Sequence, residues 1–167
     1  MNRTILYLIF ATVALPAITR TSVAGSYPVP DENPIVTVRV SDKWKTQQHG
    51  EFIETVSPDG TIHALLLPVE GNKVTEATGE AMRYIRRRGG IMVKAETIKQ
   101  DQARLKKKKI PMLSWDATEH GHPIKIRCHV FSADDGRRAI CMTWGLITAE
   151  DKNAKELRRL LDNVQTH

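Results

Sequence analysis

The chain has 167 residues, with 25 Lys and Arg against 19 Asp and Glu, two cysteines and 5% aromatic residues. That length suits one ordinary domain, able to bury a core without metal or disulfide support. The formal charge of +6 falls short of the dense basic stripe of a nucleic-acid binder, and two cysteines make no disulfide framework.

Asn2 and Arg3 give a basic start, an apolar run extends from Ile5 to Ile18 with Pro16 inside it, and Ser22-Val23-Ala24 supplies the small residues that a signal peptidase accepts. Residues 1–24 therefore read as a cleaved secretory signal ending before Gly25, which makes the mature protein periplasmic or secreted. The run is shorter than the roughly 20 apolar residues of a spanning helix. No cysteine near the junction indicates a lipid anchor. Removing the segment leaves 143 residues carrying 23 basic and 19 acidic side chains, a balance that mainly serves solubility.

Residues 25–34 follow as a leader in which Pro28, Pro30 and Pro34 forbid helix or central strand. Ile35 to Val40 alternates as a first strand with one buried face, and Ser41 to Gly50 is polar around Trp44. Glu51–Val56 and Thr61–Leu67 flank Ser57-Pro58-Asp59-Gly60, a hairpin turn in which Pro58 presets one dihedral and Gly60 tolerates another. From Val74 the residues Ala77, Thr78, Ala81, Met82 and Ile85 recur at helical spacing, and Gly89-Gly90 closes that helix. Ile91–Lys99 and Ile110–Thr118 read as a long hairpin joined by a hydrophilic stretch, Gln100 to Lys109, whose lysines form a solvated loop or an edge strand. His120-Gly121-His122-Pro123 turns the chain again. Ile124–Phe131 and Arg138–Ile147 form the last strands, and Thr148 caps a final helix with Ala154, Leu157, Leu161 and Val164 on one face.

The order is three strands, helix, four strands, helix. Tight turns make the sheet antiparallel, about six to seven strands, and two amphipathic helices must cover it, so the class is α+β, with a single domain over residues 35–167.

The last hairpin decides the fate of Cys128 and Cys141. A three-residue loop, Asp134-Asp135-Gly136, with positive φ at Gly136, sets Val130 opposite Ile140, Cys128 opposite Met142 and Ile126 opposite Trp144. Apolar residues then share a face, the two cysteines take opposite faces and both thiols stay free. A four-residue loop, Ala133 to Gly136, instead sets Cys128 opposite Cys141 at bridging distance. The hydrophobic register favours the first.

An early strand followed by Ser41-Asp42-Lys43-Trp44, the turn Ser57-Pro58-Asp59-Gly60, the helix ending Arg88-Gly89-Gly90, and the late hairpin and terminal helix together resemble the PsbP-like fold family. That family includes secreted bacterial relatives such as the DcrB-like lipoproteins. The resemblance covers most of residues 34–166. It implies a central antiparallel sheet between helices and roles in binding or assembly, with no shared catalytic centre. The chain departs from the anchored relatives in lacking the lipoprotein cysteine, and nothing in it points to photosystem binding.

Six histidines offer the best metal chemistry, with His120 and His122 as the core of a site and Glu119, His63 or His129 as a third ligand. The competing reading is a polar turn. Ser57, Ser114 and Ser132 stand in no nucleophile elbow, Cys128 and His129 point to opposite faces as strand neighbours, and Gly89-Gly90 ends a helix where a phosphate cradle would begin one. The expectation is therefore no enzyme and no cofactor. Two basic runs, Arg86-Arg87-Arg88 and Arg104 with Lys106-Lys107-Lys108-Lys109, are expected to converge on an anionic target or to be simply solvated. Trp44, Trp115 and Trp144 read most simply as core anchors, with Trp44, flanked by lysines, as the one candidate for a partner-facing aromatic. The function expected is a secreted non-catalytic binding protein, an adaptor, assembly factor or inhibitor of another envelope protein. The alternatives are a small-ligand or metal carrier and a peripheral binder of anionic membrane surfaces.

Overall fold

A computed structural model describes residues 25–71, 73–106 and 108–167. The expected signal segment, residues 1–24, and Lys107 lie outside the described residues. In chain order the elements are β1 (Gly25–Val29), β2 (Val36–Val40), β3 (Lys45–His49), β4 (Phe52–Val56), β5 (Ile62–Val69), α1 (Val74–Arg87), β6 (Ile91–Leu105), β7 (Lys108–Glu119), β8 (His122–Ser132), β9 (Arg138–Leu146), α2 (Ile147–Asp162) and β10 (Val164–Thr166). Seven strands form one antiparallel sheet in the order β3-β4-β5-β9-β8-β7-β6, and a second sheet has the order β1-β2-β10. The α+β class and the seven-strand sheet agree with the sequence.

Strand periodicity builds two cores on the two faces of the large sheet. One holds Leu65, Trp115, Ile126, Cys128, Met142 and Trp144 beneath α1, whose Ala77, Ala81 and Ile85 are buried. The other holds Ile53, Leu66, Phe131 and Cys141 beneath α2 and the small sheet. Each large aliphatic or aromatic side chain sealed in this way contributes about 1.5–3 kcal/mol of burial.

The last hairpin has the expected three-residue loop. Ala133 N–H donates to the Arg137 carbonyl at 2.8 Å, Gly136 has φ of 87°, and Ile126, Cys128 and Val130 face Trp144, Met142 and Ile140. Cys128 and Cys141 are free and lie in different cores.

Four expectations are corrected. The leader is a working part of the domain: Gly25–Val29 pairs with β2 as an edge strand, and Val29 is fully buried. Ile35–Val40 contributes β2 to the small sheet, because its second neighbour is β10, from the far end of the chain. The polar segment around Trp44 contains β3, whose Thr46 hydroxyl lies 2.9 Å from that of Thr55 on β4. Helix α2 opens at Ile147 with Leu146 at the N-cap, so Thr148 sits inside the first turn.

Of the two readings of the hydrophilic stretch, loop or edge strand, the edge strand holds. β6 runs 15 residues and pairs with β7 up to Leu105–Lys108. A bulge between Lys94 and Lys99 interrupts the ladder. There the Thr97 hydroxyl donates to the Lys94 carbonyl at 2.6 Å and accepts the Asp116 N–H at 2.8 Å, which replaces the missing backbone pairing. Because β8 pairs with β7 only as far as Met112, the tip of this hairpin extends beyond its neighbour.

Candidate functional sites

The two basic runs do not converge. Arg86–Arg88 precede β6 and Lys106–Lys109 follow it, so 15 strand residues separate them by roughly 40 Å. Arg86 and Arg87 occupy the last turn of α1, where they complement its dipole. Arg88 reaches down to the sheet, where its Nη1 pairs with Oε1 of Glu54, and its guanidinium lies 5.9 Å from the centre of the Tyr84 ring. Sequence reasoning missed Glu54. It stands 4% exposed as the one charged residue of β4 and also accepts the Tyr84 hydroxyl at 2.6 Å, with His63 Nδ1 at 3.9 Å. The charge in Phe52-Ile53-Glu54-Thr55-Val56 was the available signal. His63 stacks on Trp144 with ring centres 4.9 Å apart, and burial lowers its pKa while Glu119 opposes that shift.

At the other end of β6 the residues divide by face. Arg104 and Lys109 are directly opposed on the α1 side, whereas Leu105 and Lys108 are opposed on the α2 side. Lys106, with φ of 50°, makes the turn. Leu105 and Ile110 from the hairpin, Phe131 from β8, Leu161 from α2 and Val164 from β10 floor a half-open groove of about 700 Å³, with Lys106 and Lys108 at its rim. Asp162 also lines it, and its carboxylate accepts the Lys106 N–H at 2.9 Å and Arg158 Nε at 2.9 Å. No sequence signal could have found this groove, because its walls come from five separate elements.

The histidines do not assemble a metal site. Glu119 pairs with His122 across the turn, and His120 lies against Gly90, where an added Cβ would meet its ring at 2.5 Å. His129 is buried on the opposite face, its pKa lowered to about 4 chiefly by burial. Among the described residues no three of His, Cys, Asp and Glu converge to hold an ion. Trp44 is 2% exposed and belongs to the core under α2, which bears out its reading as a core anchor and removes the interface alternative. Trp115 and Trp144 are buried as expected.

The Ser-Pro-Asp-Gly turn has acquired a structural role. Asp59 accepts the hydroxyls of Ser57 and Thr61, both at 2.7 Å, and from α2 the Asn153 amide at 3.1 Å and Lys152 at 3.2 Å. These donors, Ser57 first, hold its carboxyl far below the usual range.

Two unequal antiparallel sheets, with one helix on each face of the larger, define an antiparallel α+β domain. In particular, the chain has the PsbP-like fold. It matches cyanobacterial PsbP from Synechocystis with a TM-score of 0.56 at 6% identity, over 93% of this chain and 99% of that one. A crystal structure from Bacteroides thetaiotaomicron gives 0.53 at 11% identity over 80% of this chain, which spans only 45% of that protein. LpqN of Mycobacterium tuberculosis, described as involved in cell envelope biogenesis, gives 0.47 at 12% identity over 86% of this chain and 91% of LpqN. No family profile matches the chain, and no curated protein matches it in sequence. At such identities the likeness is one of fold.

Proposed function

We propose that this is an exported, non-catalytic binding protein that engages another component of the cell envelope through the tip of the β6–β7 hairpin. The observation that carries the reading is the charge at that tip. Arg104 and Lys109 oppose one another across the strands, a position where sheets favour opposite charges. Among the described residues, Arg104, Lys106, Lys108 and Lys109 make no ion pair. By contrast, Arg88 is tied to Glu54. Cations without an ion pair among the described residues suit an acidic protein face. The basic start, apolar run and small-residue ending of residues 1–24 support export to the periplasm or exterior.

The test is retention of envelope extract on the immobilised protein, washed at low and then high salt, beside a variant with Lys106, Lys108 and Lys109 changed to Glu. One near-stoichiometric protein partner, lost with the variant, is expected. Retention only of salt-labile anionic lipid moves the reading to peripheral membrane binding, and retention indifferent to the charge reversal removes the tip from the function. A second reading, a small-ligand carrier, has support of its own in the groove under the tip.

A further inference from the structure

We propose that the groove bounded by the β6–β7 tip, β10 and the end of α2 binds one long-chain fatty acid, with its carboxylate at Lys106 and Lys108 and its chain along Leu105, Ile110, Phe131 and Leu161. This deepens the ligand-carrier reading. The volume, about 700 Å³, lies within the ~300–1,000 Å³ that small-molecule sites occupy. The floor is aliphatic and aromatic, so the body of the occupant must be hydrocarbon. At the rim the one side-chain carboxylate among the described lining residues, Asp162, is already engaged by the Lys106 N–H and Arg158. His167 Nε2 shares a hydrogen bond of 2.7 Å with the Thr37 hydroxyl.

That leaves Lys106 and Lys108, exposed and without ion pairs among the described residues, to set the sign of the field where the groove opens. Face alternation makes this arrangement specific. Lys108 shares its face with Leu105 and Ile110, whereas Lys109 and Arg104 fall on the other side of the hairpin. An apolar trough with cations at one end is complementary to a molecule with one chain and one anionic head. A neutral alcohol would leave the lysines unanswered, and inorganic phosphate would leave the floor empty.

The experiment is displacement of a fluorescent fatty acid from the delipidated protein, as exported by its expression host, using palmitate, hexadecanol, shorter fatty acids and a two-chain anionic phospholipid. Palmitate should bind one to one, at least tenfold more tightly than hexadecanol, and each methylene removed should weaken binding about fourfold. Lys106→Glu with Lys108→Glu should erase the preference for palmitate over hexadecanol. Ile110→Glu, at a half-buried position, should weaken both, with circular dichroism confirming that each variant is folded. Equal binding of palmitate and hexadecanol overturns the role of the lysines. Competition by the two-chain lipid equal to that of palmitate overturns the single-chain assignment. Binding unchanged in both variants places the ligand elsewhere and overturns the groove. Absence of any binding overturns the inference and the carrier reading together, while the protein-partner reading stands or falls separately on retention of envelope extract.

Discussion

The Tyr84 hydroxyl donates to Oε2 of Glu54 at 2.6 Å and so fastens the last turns of α1 to the sheet through a carboxylate that is 4% exposed. A hydrogen bond to a buried charge is among the stronger kinds. Tyr84→Phe keeps the ring against Phe52, with which it makes an edge contact at 5.6 Å, and removes only the donor. The expected cost is about 1–2 kcal/mol by urea unfolding. A midpoint equal to that of the unaltered protein would show that the bond adds nothing to stability.

His129 makes stability depend on mild acid. Its folded pKa, lowered to about 4 by burial, lies below the unfolded value of about 6.5, so the unfolded chain takes the proton first as pH falls. The fold therefore loses up to about 3 kcal/mol between pH 6.5 and pH 4 from this residue, with His63, whose pKa is also lowered by burial, acting in the same direction. Unfolding free energy measured across that range should be flatter in His129→Gln. An unchanged slope in that variant would reject the assignment.

Below pH 4 a second residue takes over. Asp59 has its carboxyl held low by the hydroxyls of Ser57 and Thr61 and the amide of Asn153. A depressed carboxylate contributes stability above its unfolded pKa of about 3.9 and loses it progressively as pH drops further. In Asp59→Asn the neutral-pH stability should fall by about 1–3 kcal/mol while the decline below pH 4 becomes shallower. Thermal unfolding at pH 7 and pH 3 separates the two effects, and a variant with the original acid sensitivity would shift the assignment to another group.

Both cysteines should be silent toward alkylation in the folded protein and react fully on unfolding. Burial pushes the Cys128 thiol up to about 11 and raises Cys141 further, so neither is a thiolate at pH 8. Mass spectrometry after iodoacetamide treatment, with and without denaturant, should give zero and two adducts. Adducts in the folded state would mean that the sheet opens at β8–β9.

The β8–β9 register and the α1 stripe were legible in the sequence because the signals are local. Gly136 fixes one hairpin loop, and six residues from Val74 to Ile85, recurring at helical spacing, fix one helix face. What escaped depends on partners far away along the chain. Val164 pairs with Val38, so β10 could not be read from its three residues alone. The lysines beside Trp44 left an interface alternative open, but the Ser41–Trp44 turn, closed by a 3.0 Å backbone bond, turns it into the core. Gln100 to Lys109 left loop and edge strand open because its polar residues mask the alternation, and only Leu105 and Ile110 mark the face that packs inward. Arg88 looked free because its partner, Glu54, precedes it by 34 residues.

The length of β6 also settles how the two ends of the molecule communicate. Roughly 40 Å is several times the screening length of about 8 Å at physiological ionic strength. The arginines at the foot of α1 and the lysines at the hairpin tip are thus electrically deaf to one another. Whatever neutralises one pole, whether a partner, a bound acid or a substitution, leaves the field at the other as it was.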